Sequence, residues 1–155
     1  MKKFIFHSLV ITGLFFLACN NKADKTETDE DTLSVVTPSS WYAMINDSSG
    51  LLEMKKMETG GPDTLETGAM IKYLNNINPF VKLKYTKTSN DTLYIKIPDA
   101  NYLTQQMGST GPTMYFAGAV YNLTEIPGIK YVNFDFEEGD HAMPGVLHRE
   151  SFVDK

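Results

Sequence analysis

Cysteine is nearly absent: Cys19 is the only one in 155 residues. A lone thiol closes no intramolecular disulfide and builds no multi-thiolate metal site. Surplus positive charge is missing too. Fourteen Lys and Arg stand against nineteen Asp and Glu, a formal charge of −5, so no basic excess is left to neutralise nucleic-acid phosphates, and that class of partner is excluded. The chain has no G-x-S-x-G elbow, Walker loop, H-E-x-x-H pair or Rossmann glycine pattern, which removes the commonest hydrolase and nucleotide readings. What remains is an ordinary globular composition, 42% hydrophobic, 12% aromatic and 21% charged, with enough apolar material for one core.

The first nineteen residues, MKKFIFHSLVITGLFFLAC, begin with Lys2 and Lys3, continue through an apolar run from Leu9 to Leu17, and end with Ala18 before Cys19. This is a secretory signal ending in a cysteine. Its apolar run is too short to span a bilayer comfortably. Phe16, Leu17 and Ala18 before Cys19 resemble a bacterial lipobox. That resemblance implies removal of residues 1–18 and attachment of diacylglycerol to the Cys19 sulfur. Acyl chains contribute about 0.8 kcal/mol per buried methylene, enough to hold a multiply acylated protein on a membrane. Loss of Lys2 and Lys3 then lowers the formal side-chain charge from −5 to −7 over 137 residues. Residues 19–32 supply the lipidated cysteine and an acidic tether, NNKADKTETDEDT, which has no large apolar side chain to offset the entropy of ordering.

Residues 33–155 read as one small domain. Trp41 to Ile45 and Leu51 to Met57 favour strands and flank a cluster of turn formers, a hairpin. After Gly60, Gly61 and Pro62, the spacing of Leu65, Ala69, Tyr73 and Ile77, with Met70 and Leu74 partly overlapping, predicts a helix from Asp63 to Asn76. Val81, Leu83 and Tyr85, then Leu93, Ile95 and Ile97, alternate with polar residues and predict a second hairpin with one face inward. Asp99 to Gln106 is read as a short helix. Pro112 suits the first turn of another, whose apolar stripe is Phe116, Ala119, Val120, Leu123 and Ile126. Ile129 to Phe136 is a core strand, and Val146 to Val153 a further edge strand. The order describes an α+β fold: a single small domain with a mainly antiparallel sheet covered by two helices, whose core joins both helices to one sheet.

The stretch IKIPDANYLTQQMGSTGPTMYFAGAVYNLTEIPGIKYVNFDFEEG, Ile95 to Gly139, resembles the second half of a GerMN domain, a family named for sporulation and spore-germination proteins. Leu123, Thr124, Pro127, Gly128, Val132 and Gly139 carry the likeness, and the earlier hairpin and helix fit the first half, so that it covers residues 41 to 139. The resemblance implies a ring-building-motif-like envelope adaptor that works by contact. It supplies no catalytic residue.

Several constellations remain. Gly108, Ser109, Thr110 and Gly111 before a helix could offer backbone amides to an anion, or form a plain loop with Thr110 as N-cap. Glu137, Glu138, Asp140, His141, His148 and Glu150 form the densest cluster of oxygen and imidazole donors, at a spacing that fits a solvated acidic turn rather than an established metal motif. Asp-Thr-Leu occurs three times and resembles a bacterial O-glycosylation acceptor, which makes Thr32, Thr64 and Thr92 candidate glycan carriers. Asp and Thr also serve as caps and turn formers. The expectation is a lipid-anchored, non-enzymatic protein of the cell envelope, at the outer membrane, without cofactor or metal. It touches the membrane through the acyl chains on Cys19 and acts as a protein-interaction adaptor; the alternative is an envelope glycan-binding module using exposed aromatics.

Overall fold

A computed structural model of the protein describes residues 38–153. Segment 1–18, Cys19, the tether and Thr32 lie outside the described residues. Ten elements follow in order: β1 (Ser40–Ile45), β2 (Leu52–Met57), α1 (Thr67–Ile77), β3 (Lys84–Ser89), β4 (Thr92–Lys96), a π-helical turn (Tyr102–Gln106), α2 (Gly111–Leu123), β5 (Tyr131–Asp135), β6 (Gly145–Leu147) and a 3-10 turn (Arg149–Phe152). The fold is α+β. No described helix is long and apolar enough to cross a membrane.

Local chemistry accounts for most of these elements. The Asn46 side-chain oxygen accepts the Ser48 and Ser49 amides at 2.9 and 3.0 Å, closing the turn between β1 and β2. Asn90, at φ 54°, turns β3 into β4. Pro112 starts α2 where a missing N–H costs nothing. Gly128, at φ 85°, takes the left-handed conformation in the turn that follows α2. In β4 and β5, Leu93, Ile95, Val132 and Phe134 are buried, while the alternate residues point away from the core.

The strands form two sheets, not the single one expected. Among the described residues β1 and β2 pair only with each other, and β3-β4-β5-β6 make a second sheet in that order. β4 and β5 run parallel, because the π-helical turn and α2 carry the chain back across the sheet between them; the other pairings are antiparallel. Helix α2 touches both sheets. Phe116 packs on Phe134 and Phe136 of the larger sheet, at centroid distances of 4.9 and 5.8 Å. On the other side of α2, Asn122 meets β1. A helix with neighbours all round must be apolar nearly all round, and the expected stripe from Phe116 to Ile126 is buried together with Tyr115 and Ala117.

Other expectations shift. Helix α1 begins at Thr67 rather than Asp63, because Pro62 is buried and residues 63–66 form the bend leading out of it. Its buried residues are Met70, Ile71 and Leu74, leaving Leu65 and Tyr73 half-buried and Ile77 51% exposed. Val81 and Leu83 are buried as expected, but they precede β3. That strand is the sheet's edge, with a register shift between Tyr85 and Lys87, and all of it is exposed, Tyr85 included. The stretch from Val146 to Val153 is strand only as far as Leu147. Beyond it the chain coils into the 3-10 turn, with the Ser151 amide bonded to the His148 carbonyl at 3.0 Å. The turn directs Arg149 onto α2, where its Nε donates to Thr124 Oγ1 at 2.8 Å and its Nη2 to the Tyr121 carbonyl at 3.0 Å.

Two asparagines tie the helices to extended chain. Asn122 is fully buried. Its Oδ1 accepts the Trp41 amide at 2.9 Å, and its Nδ2 donates to the Trp41 carbonyl at 2.8 Å and the Gly118 carbonyl at 2.7 Å. Asn75 of α1 does the same for Leu83, accepting its N–H at 2.7 Å and donating to its C=O at 3.0 Å. Asn122→Ala leaves the Trp41 pair without those partners. A buried polar group stripped of its partner costs about 1–3 kcal/mol, so we expect a loss of about 2–4 kcal/mol in urea unfolding, together with faster hydrogen exchange at the Trp41 amide.

Candidate functional site

A groove of about 450 Å³ lies between β1, the end of α1, the π-helical turn and α2. Its size falls within the range of small-ligand and peptide-side-chain sites. Trp41, Tyr42, Leu74, Ile77, Tyr102, Met107 and Met114 supply its apolar walls, while Gly111, Gly118 and Ala119 keep the side of α2 low. Ile77, Asn78, Tyr102 and Met107 also line an adjoining hollow of about 260 Å³ that includes Phe80. Phe80 is 68% exposed and stacks on Tyr102 at 4.8 Å. The two hollows thus share one wall.

Each wall has a local cause. In the π-helical turn the Met107 amide reaches back five residues to the Tyr102 carbonyl, at 3.1 Å, and Tyr102, Gln106 and Met107 all line the groove. At Gly118 a Cβ would meet nothing within 4 Å, so the glycine leaves open space, whereas a Cβ on Gly111 would lie 2.6 Å from that of Met107. Tyr115 is 8% exposed, and its hydroxyl has no hydrogen-bond partner among the described residues. Burial pushes its phenol above the usual range, so it remains protonated.

Beside the groove runs a strand edge that no described strand covers. The Trp41 N–H and C=O both face Asn122 and therefore point away from β2. Backbone polar groups in a strand repeat their direction every two residues, so those of Ala43 and Ile45 point the same way. Among the described residues they have no partner on that side.

A charged clasp lies behind Trp41. Its indole Nε1 donates to Glu125 Oε1 at 3.0 Å, and Arg149 donates to the same oxygen at 2.5 Å. The guanidinium sits 5.6 Å from the Trp41 ring and 5.0 Å from that of Tyr121. Burial raises the Glu125 pKa, but hydrogen bonds from Arg149 and Trp41 and the nearby positive charge outweigh it, so the carboxyl titrates below its ordinary value. A smaller hollow, about 290 Å³, is lined by Thr124, Tyr131, His148, Arg149 and Glu150. There His148 Nδ1 lies 2.7 Å from Glu150 Oε2, a bond that lowers the Glu150 pKa. The pair could relay a proton, but the nearby Thr124 hydroxyl is already engaged, donating to the Val120 carbonyl and accepting from Arg149.

The residues singled out in the sequence fall in scattered places. Thr64 is exposed in the bend before α1, and Thr92 is the half-buried first residue of β4. Thr110 holds the N-cap position of α2 without a side-chain cap bond. Glu137 and Glu138 line a hollow with Asp99 and Asn101, away from His148 and Glu150. Among the described residues no three His, Cys, Asp or Glu side chains form a metal-holding group. Sequence reasoning missed Asn122, Arg149 and the groove. One signal was available: Gly111, Gly118 and Asn122 interrupt an otherwise apolar helix at spacings of seven and four residues, marking one side of α2.

Two outcomes are expected. Because the Glu125 pKa is depressed in the fold, its stabilisation is complete above the unfolded value and is lost as pH falls through the folded one. Unfolding free energy should therefore drop between about pH 5 and about pH 3, and Glu125→Gln, less stable at neutral pH, should show a shallower drop. Gly118→Ala should raise stability by about 0.5–1 kcal/mol, since it removes a helix-interior glycine without a clash; thermal unfolding checks it. No family model, curated protein or solved structure matches the chain.

Proposed function

We propose that this is a non-enzymatic interaction module of the cell envelope, held to a membrane through acylated Cys19, which binds an extended apolar segment of a partner protein. The observation that carries this reading is the apolar groove alongside the open edge of β1. A strand added at Ala43 and Ile45 would satisfy their outward backbone groups and place alternate side chains in the groove, the arrangement known as β-augmentation. Trp41 already makes such bonds, with the Asn122 amide standing in for a neighbouring peptide unit. The aromatic and methionine lining suits varied apolar side chains. The order of strand, helix, Leu123-Thr124-x-x-Pro127-Gly128 turn and strand, by which the chain resembles GerMN domains, supports a domain that works by contact. The run Val146–Val153, expected as an edge strand, supplies only the three-residue β6, a shorter pairing edge than the six residues of β1.

A photo-crosslinking residue at Ile77, which is exposed on the groove rim, should capture one reproducible envelope protein in cells. Gly118→Leu fills the groove and should abolish capture while the thermal midpoint stays at or above that of the unaltered protein. Capture that persists undiminished in the filled variant would overturn the reading.

A further inference from the structure

The larger sheet has a second face, away from the helices. Burial of Leu93, Ile95, Val132 and Phe134 places Tyr94 and Lys96 of β4, with Tyr131, Asn133 and Asp135 of β5, on that open face. The antiparallel register adds two lysines from β3: Lys84 lies opposite Lys96, and Lys87 opposite Tyr94. Lys87 Nζ sits 4.7 Å from the Tyr94 ring centroid, and Tyr131 is 38% exposed.

Within β3, β4 and β5 this is three lysines against one carboxylate, a local reversal in a chain of net charge −5; at the β5 end Tyr131 packs edge-on to His148, which holds the Glu150 carboxylate. Like charges directly across a strand pair destabilise it. No carboxylate among the described residues lies within 4 Å of Lys84, Lys87 or Lys96. Lysines on edge strands commonly guard against edge-to-edge aggregation, and that explains β3. It does not explain Lys96, which stands on an interior strand opposite both Lys84 and Asp135 and forms no ion pair with that carboxylate.

We infer that this open face binds an anionic polysaccharide, with Tyr94 and Tyr131 stacking on sugar rings and Lys84, Lys87 and Lys96 meeting its carboxylates. Charge complementarity selects an anionic ligand, and the aromatic rings on a flat sheet select one with ring faces. Three lysines neutralise too few phosphates for nucleic acid. The two tyrosines belong to the sheet itself and not to a protruding apolar loop, which favours a glycan over a lipid surface. This surface is separate from the groove, and the inference stands independently of the peptide-binding reading.

The test is affinity electrophoresis and calorimetry of the full-length protein with polygalacturonate, using neutral dextran and phosphatidylglycerol vesicles for comparison. Polygalacturonate should bind, dextran should not, and added salt should weaken binding. Lys84→Ala with Lys96→Ala should reduce affinity tenfold or more, and so should Tyr94→Ala, whereas Lys84→Arg with Lys96→Arg should retain it. Relieving the opposed lysines should leave unfolding unchanged or improved, which separates lost binding from lost fold. Absence of polygalacturonate binding, equal binding by the alanine variants, or binding to vesicles alone would overturn the inference.

Discussion

The fold depends on one side chain, the buried amide of Asn122. A two-stranded hairpin is marginal on its own in water, and β1–β2 pairs with no other described strand. It is held by α2, and Asn122 makes the attachment specific by offering one acceptor and two donors to the backbone of Trp41 and to Gly118. An amide can do this because it presents the same donor and acceptor pair as a peptide unit. Apolar contact would have held the hairpin against the helix without fixing its register, whereas two opposed hydrogen bonds to a single residue allow one register only. Asn75 repeats the device on α1, where it places Leu83 and so sets where β3 begins.

The groove follows from that attachment. With Trp41 pinned to α2 near its C-terminal end, the rest of β1 runs beside the glycine-marked side of the helix, and the π-helical turn brings Tyr102 and Met107 to the opposite wall. The clasp of Glu125 and Arg149 holds the indole from behind. Arg149 also bonds to the end of α2, so one guanidinium joins the 3-10 turn, the central helix and the hairpin. Open edge and apolar hollow are thus consequences of one mode of docking. The opposite face of the larger sheet owes nothing to it and gets its character from the outward residues of β3, β4 and β5.

Much of this was legible from residue order. Alternation in Leu93-Tyr94-Ile95 and Val132-Asn133-Phe134 located β4 and β5, and turn formers located the first hairpin. Proline at 112 and glycine at 128 bounded α2 and its exit turn. The groove was less legible, because its residues carry signals that also belong to a core: Ile77 fits a helical stripe as well as a groove rim, and Met107 is apolar in either setting. Asn122 was hidden for the converse reason, since an asparagine near the end of a helix reads as a cap until its buried partner is seen.

The sequence by itself determined the order and approximate places of the helices and strands, the α+β class and the acidic balance, because these follow from periodicity, turn chemistry and counted charge, all of which are local or additive. Only the tertiary structure decided that the first hairpin would form its own sheet, that β4 and β5 would run parallel, and that α2 would lie buried between two layers. Those outcomes turn on pairings across long separations, such as the 81 residues between Trp41 and Asn122. Periodicity says which face of an element is apolar. Which neighbour covers that face is settled by the buried polar groups, since each must find its partner as the layers close.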